Sequence, residues 1–595
     1  MGMPPAPAGH TDWIIEIDPD APSACIATAP AIARLDDGER QVAVIGWLDG
    51  DLHAAGMLAA YEQSGVEAFG KARGQFVALL WDGPERVFWA VRDPMGAHPL
   101  FFACPGRKVL VSPSARRLVR HPMVGTSVNQ MAIADFFRDS WPEASETYYE
   151  RIRRVPPGHG LRLRNGEAIC ERYWLRRHES VAWLRETEIE DFDTYLDQAV
   201  GRCLGSGPSA LFLSGGLDSV SVGAVAADLG RRLGAPPMRA LSLVFPDKES
   251  NEEAAQRAVA QRLGMTHNLQ PLEEAGRAGD VIRRSLAESA ALDSPVLNVW
   301  LPSYRRLAEA GRQKGCTTVL TGTGGDEWLG VSPLLGADLL GSLRMGAWAR
   351  LLSLRWRSYR QARSARASWN YLWHFSVRPL VRRAVLRVGT ERYPELIAAR
   401  RRRRAMGTMP EWLAPDERMR RVLAERSERF DGMDDLRHSG SFYVDEIRMA
   451  LDHPLASLEA EEWFHAFAPT RVRVRHPFYD PDLVEFLFRV PPERLLDGGR
   501  SKGLVRGTLE RRFPGLGFGV QAKVEATSYF AIAVRAQGRA LWREWSGLPA
   551  LVSLGIVEPE GARRAMERAL QGSRYRDLYY FWSMMNMEAW LRPRV

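Results

Sequence analysis

The nine residues Leu211-Phe-Leu-Ser-Gly-Gly-Leu-Asp-Ser219 restrict the fold more than any other stretch of the chain. An apolar run at 210–213 stops at Ser-Gly-Gly. A helical pattern then starts near Ser219 and continues over 220–233. A buried strand that turns through glycines into a helix brings free N–H groups and the positive end of a helix dipole to one point, which is how a phosphate is held. Ser214, Gly215, Gly216 and Ser219 are therefore the expected phosphate contacts. The string lacks the GxxxxGK[ST] spacing of the common nucleotide loop and its lysine. Asp218 instead sets a carboxylate beside the phosphates, as Mg²⁺ binding requires.

Alternation extends from this turn in both directions. A helix is expected over 189–203, a strand over 240–245 and a helix over 252–263. A further helix ends near Gln313 and is followed by a strand over 317–320. Such alternation predicts a doubly wound parallel sheet. The first section differs. Short β-rich runs at 42–47, 75–81 and 87–92, a helix at 54–64 and a hairpin at 160–170 predict a β-rich α+β unit ending near 175. Residues 335–440 carry Trp348, Trp356, Trp369, Trp373 and Trp412 among many arginines, including Arg400 to Arg404, and predict helices with an exposed basic face. Residues 441–595 also read as helical. The expected organisation is 1–175, then 186–595 with 335–440 as a helical insertion.

Charge and cysteine content narrow the setting. The net charge is +8 over 595 residues, a small excess, with a pI near 9.3. Only Lys71, Lys108, Lys248, Lys314, Lys502 and Lys523 are lysines, and the other 74 basic residues are arginines. Each lysine is thus worth a question. Five widely spaced cysteines with no CxxC argue against a disulfide framework or zinc site and for a reducing cytoplasm. No run of about 18 apolar residues and no basic start with an apolar follow-on is seen, so neither a spanning helix nor a signal peptide is expected. The run Arg400–Arg404 lacks interleaved aromatics, so no nucleic-acid partner is expected.

Several segments together carry a family resemblance. The string SGGLDS resembles the pyrophosphate loop of the asparagine-synthetase-like, or ATP-pyrophosphatase, amidotransferases. Thr321-Gly-Thr-Gly-Gly-Asp-Glu327 is similar to that family's second acidic loop, Arg475-His-Pro-Phe-Tyr-Asp480 to its RxPFLD segment and Ser501-Lys502-Gly-Leu-Val-Arg506 to its K-x-x-L-R segment. The resemblance implies ATP and Mg²⁺, with Asp218 and Asp326 as metal ligands and Lys502 as the catalytic lysine. It implies that Leu213 and Leu243 line the adenine pocket and that Thr321 and Gly322 meet ATP through the backbone. Lys523 falls, less closely, where relatives carry a basic residue at the substrate entrance.

Gly74-Gln-Phe-Val-Ala-Leu-Leu-Trp-Asp82 and residues 91–102 likewise resemble the N-terminal-nucleophile glutaminase fold, a β-rich sandwich. Working glutaminases use a Cys at the mature N-terminus. Here Met1-Gly2-Met3 opens the chain, and Ile45-Gly-Trp-Leu-Asp-Gly-Asp51 replaces the glutamine-holding stretch. The unit is expected to be a structural remnant that makes no ammonia. Relatives without the Cys join a carboxylate to an amine of the substrate. They include β-lactam synthetases and lasso peptide cyclases, and the Trp- and Arg-rich section looks more like the latter.

The expected reaction is then adenylation of a side-chain carboxylate of a precursor peptide and closure of a macrolactam by the peptide's α-amine. A leader peptidase and a leader-binding protein are candidate further partners, with no nucleic acid and no membrane. A small-molecule ligase of the β-lactam synthetase kind and a non-catalytic peptide- or ATP-binding scaffold remain open. The general base is expected to be Glu446, on a helix at 442–449, with Asp445, Glu459 and Glu462 as rivals. Thr323 stands where some relatives carry a Glu or Tyr.

Overall fold

The computed structural model describes residues 11–49, 54–138, 143–175, 181–204, 207–272, 280–358, 362–436, 440–518, 526–572 and 575–595. Met1 to Met3, Asp51 and Lys523 lie outside them.

The first region is a sandwich of two antiparallel sheets. Strands β1 (Ile15–Ile17), β2 (Ala33–Asp36), β3 (Arg40–Leu48), β4 (Gly74–Asp82), β5 (Val87–Arg92), β6 (Phe101–Ala103), β7 (Val109–Ser112), β8 (Arg153–Arg154), β9 (His159–Arg164) and β10 (Glu167–Arg172) build it. One sheet has the order β1-β7-β6-β8 and the other β10-β9-β5-β4-β3-β2. The run 42–47 is apolar at every step because both faces of β3 are covered. Ala43 and Ile45 pack with Val77, Leu79 and Val111 between the sheets. Val42 and Val44 pack on the other face with Met57 and Leu58 of the helix Ala54–Ser64.

The second region holds a five-stranded parallel sheet. Its strands β11 (Ser209–Phe212), β12 (Arg239–Val244), β13 (Thr266–Pro271), β14 (Thr318–Leu320) and β15 (Arg473–Arg475) lie in the order β13-β12-β11-β14-β15. Register follows from Ala210 opposite Arg239 and Val319. From β11 the chain winds one way to β12, and from β14 the other way to β15. The order therefore reverses between β11 and β14, the place where open α/β sheets bind ligands. Most of the helical additions enter between β14 and β15, from Leu335–Gly341 to Pro454–Phe467. The Met-rich tail Tyr575–Leu591 is a core helix, with Met584, Met585, Met587 and Trp590 fully buried.

Arginines of the sandwich and carboxylates of the second region tie the two together. Arg154 gives Glu461 two parallel hydrogen bonds of 2.6 and 2.8 Å, and Arg92 adds a third of 3.2 Å. All three side chains are buried. Removing the anion leaves two guanidiniums without their charge partner, at a cost of about 3–5 kcal/mol. Glu461→Ala should accordingly lower the urea midpoint sharply. A midpoint within error of the parent would show that water replaces the carboxylate.

Candidate functional site

The two carboxylates picked from the sequence meet at one cation. Lys502 Nζ donates to Asp218 Oδ1 and Oδ2 at 2.7 and 2.6 Å, and to Asp326 Oδ1 at 2.8 Å. Asp218 lies in the first turn of Leu217–Arg232, directly after β11, and Asp326 in the first turn of Gly325–Trp328, after β14. Adjacent strands deliver them to the same edge of the sheet.

Glycine makes the approach possible. A Cβ on Gly325 would stand 2.3 Å from Asp218 Cγ, and one on Gly322 would stand 2.6 Å from Ser219 N. Any side chain at these positions would push the two loops apart.

Lys502 is expected from Gly499, Arg500 and Gly503 to sit in a loop. It lies in the turn at 501–502 and caps the helix Gly503–Arg512, with φ +58°. This left-handed conformation costs a non-glycine residue about 1–2 kcal/mol, so the surroundings hold the ammonium where it is. Gly503 cannot be larger, because its Cβ would meet Asp497 O at 2.2 Å.

The loop at 214–219 is prearranged around two hydroxyls. Ser214 Oγ and Ser219 Oγ lie 3.0 Å apart, Ser219 Oγ donates to Gly216 O, and Gly216 N–H donates to Ser214 Oγ. Gly215 has φ +87° and passes beside Glu252, whose carboxyl burial raises to about 7. Glu252 is a neighbour of the loop that its sequence position, at a helix start, did not single out.

The expected ATP contacts take different places around the sheet. Leu213 and Leu243 are both buried, but alternation places them on opposite faces of the sheet, in different core clusters. Thr321 is buried beside its backbone partner Arg475 O, and its hydroxyl lies 2.6 Å from His476 Nδ1. Burial and the Arg475 charge hold His476 down to about 3, so it is neutral. Gly322 lies against the start of the Asp218 helix, as described above.

Next to the carboxylate pair opens a cavity of about 540 Å³. Sandwich residues including Trp47, Met95 and His98 line one side. Trp328, Met449, Trp463, Phe464 and Tyr479 line the other, with Glu327, Glu446 and Glu459 among them. Burial raises the carboxyls of Glu327 and Glu446, and it raises Glu459 to about 7 with help from nearby Glu327. Glu327 also feels the charges of Asp326, Lys502 and Asp218, so the acidic wall is electrostatically continuous with the lysine cluster. Tyr479 lies beside Glu459 and Glu327, and burial, reinforced by these two acids, raises its phenol and holds it protonated. The buried indole N–H of Trp328 finds no acceptor among the described residues.

The expected bases separate by position. Glu446 lies on the cavity wall, on the helix Phe442–Asp452, and accepts a hydrogen bond from Ser332. Glu459 faces the same cavity. Glu462 is turned away, accepting the N–H groups of Leu297 and Asn298, and Asp445 pairs with Arg383. Glu327 and Tyr479 were visible in the sequence only as parts of motifs.

The family model for asparagine synthase matches residues 191–592, and that for the glutamine amidotransferase domain matches 51–174. Amidase chyE of Penicillium rubens is 28% identical over 302 residues, which cover 48% of this chain and 44% of that protein. Asparagine synthetase [glutamine-hydrolyzing] 3 of Bacillus subtilis is 24% identical over 201 residues, 33% of each chain. These matches span less than half the length of either curated relative. A solved glutamine phosphoribosylpyrophosphate amidotransferase from B. subtilis covers 49% of this chain and 64% of its own at 12% identity, but its TM-score of 0.17 is too low to carry an argument.

Proposed function

This chain belongs to the asparagine synthase family, and from that premise we propose that it joins a carboxylate to an amine at the expense of ATP, releasing AMP and pyrophosphate. The single observation that carries the reading is the meeting of Lys502 with Asp218 and Asp326 beside the 214–219 loop, with Glu327 linking their charges to the wall of an acid-lined apolar cavity. One end suits a polyphosphate and the other an amine attached to an apolar group.

ATP is here a substrate. The 214–219 loop and the helix N-terminus behind it would receive its departing pyrophosphate. Asp218 and Asp326 converge on one cation position, and two hard oxygen anions fit Mg²⁺ with water and phosphate oxygens as its remaining ligands. The ion would supply charge neutralisation at the phosphates. Lys502 would place a point charge on the oxygens that become more negative in the adenylation and acyl-transfer transition states.

The amine is mostly protonated at neutral pH, so its attack on the acyl-adenylate needs a base. We assign this role to Glu459 rather than Glu446, because Glu459 shares its surroundings with Tyr479 and with Glu327, the neighbour of Asp326. The Trp328 indole is a free donor for a substrate carbonyl.

We read the substrate as a precursor peptide and the product as a macrolactam closed by its own α-amine. The aromatic wall of the cavity supports this. The cavity volume also suits a small-molecule acceptor, since ligand pockets commonly run to about 300–1,000 Å³. Glutamine would not be the nitrogen source. Among the cysteines of the sandwich, Cys25 and Cys170 are pushed up to about 12 and Cys104 is also raised, all by burial, so none is an activated thiolate.

The test is to resolve the nucleotide products by chromatography while following ammonia release from glutamine. AMP with pyrophosphate and background ammonia support the proposal. Stoichiometric ADP refutes adenylation, and ammonia that tracks the enzyme refutes the amine assignment. Comparing peptide and small-molecule carboxylates in the same assay separates the two substrate classes. Asp218→Asn should raise the Mg²⁺ concentration for half-maximal turnover by about 10–100-fold, and unchanged Mg²⁺ dependence would remove Asp218 from the metal site.

A further inference from the structure

Positions 344–404 contain seventeen arginines and only two acidic residues, Glu391 and Glu395. This stretch carries +15 while the whole chain carries +8, so everything else is net acidic. The charge is concentrated, not spread.

The stretch also exposes apolar side chains. In the helix Arg378–Arg392 no described residue is buried. Val381, Val385 and Val388 are 52%, 52% and 61% exposed. Their spacing of four and three places them in one stripe, and the exposed Arg378 and Arg387 flank it. Just before, Trp369 and Trp373 are exposed one turn apart, followed by exposed Phe375. In the next helix, Pro394–Thr408, exposed Leu396 shares a face with exposed Arg400, Arg403 and Arg404. These segments pack on one another in succession.

Charge complementarity requires an anionic occupant. Apolar stripes with arginines beside them and tryptophans at the margin are what an interfacial helix offers to headgroups and upper acyl chains. An acidic peptide would call for apolar residues gathered into a recess, whereas here they are dispersed along a helix without a buried position. We propose that the face formed by 365–404 docks this protein peripherally on an anionic phospholipid surface. Among the described residues no helix is long and apolar enough to cross a membrane, and peripheral docking needs none. The expectation of no membrane contact, drawn from the lack of a spanning run, is revised on this ground.

The experiment is flotation of the full-length protein with vesicles of phosphatidylglycerol and phosphatidylcholine, beside vesicles of phosphatidylcholine alone. Binding should occur on the anionic vesicles and fall with added salt, because surface charge is screened. Each basic residue near such a surface contributes roughly fivefold in partitioning. The triple variant Arg400→Glu/Arg403→Glu/Arg404→Glu should therefore lose about 100-fold or more. Trp369→Ala/Trp373→Ala, at exposed positions, should weaken binding with melting unchanged, which guards against a folding artefact in the triple variant. Nucleotide turnover should be unaffected in both, since neither touches the Lys502 cluster. Equal binding to neutral vesicles, or no binding to either at low salt, overturns the proposal. So does capture of polyglutamate or a short RNA by this face while vesicles are ignored.

Discussion

Glu459→Gln should reduce amide formation by about 10²- to 10⁴-fold, the range that positioned acid–base catalysis contributes. Glu459 sits in an apolar wall that lifts its carboxyl to about 7. A base works in its ionised form, so the parent rate should rise with pH through about 7 and then level. The variant should lose that limb, and its pyrophosphate exchange should persist, because adenylation precedes the proton transfer. The same shift predicts a stability effect of defined sign. Between the ordinary carboxyl range near 4.5 and about 7, the folded state holds a proton that the unfolded state has released. Stability from this group is therefore lost as pH rises through that window, and Glu459→Gln should flatten the decline. A parent-like pH–rate profile in the variant would return the role to Glu446, whose Gln variant is the matched control.

Lys502→Ala should lower turnover by about 100- to 1000-fold, as removal of one preorganised transition-state donor does. Lys502→Arg should not rescue it, because a planar fork cannot occupy the position of an ammonium that meets three carboxylate oxygens at 2.6–2.8 Å. The cluster adds a second readout. Without the ammonium, Asp218 and Asp326 lose the cation that meets both of them. Thermal unfolding of Lys502→Ala in chelator should begin below that of the parent, and Mg²⁺ should raise it by more than it raises the parent. If turnover survives, or if Mg²⁺ raises both melting curves equally, the lysine does not hold this pair and the likeness around 501–506 reflects shared fold alone.

The sequence by itself determined the strand-to-helix turn at 211–219, the helix at 54–64, the β-rich opening and the winding that follows. Each depends on residues close in the chain. Apolar periodicity sets an element and glycine or proline ends it. It also singled out Asp218 and Lys502, because a carboxylate shortly after a Gly-Gly turn and a lone lysine among arginines are local signals. That Leu213 and Leu243 fall in different core clusters, on opposite faces of the sheet, follows from strand register, which the sequence does not contain. Lys502 does lie in a turn, as Gly499 and Gly503 imply, but Gly503 itself is already helical and is required by contact with Asp497 O. The sequence placed Asp218 and Asp326 after two strands of one sheet, and only the tertiary structure decided that those strands are neighbours and that Lys502 meets both carboxylates. Their convergence depends on strand order, which no local pattern contains. Likewise only packing chose among the acids of 445–462. Glu462 spends its oxygens on two backbone N–H groups and Asp445 on an arginine, which leaves Glu446 and Glu459 on the cavity wall, and burial there, invisible in any one segment, moves Glu459 toward neutral pH.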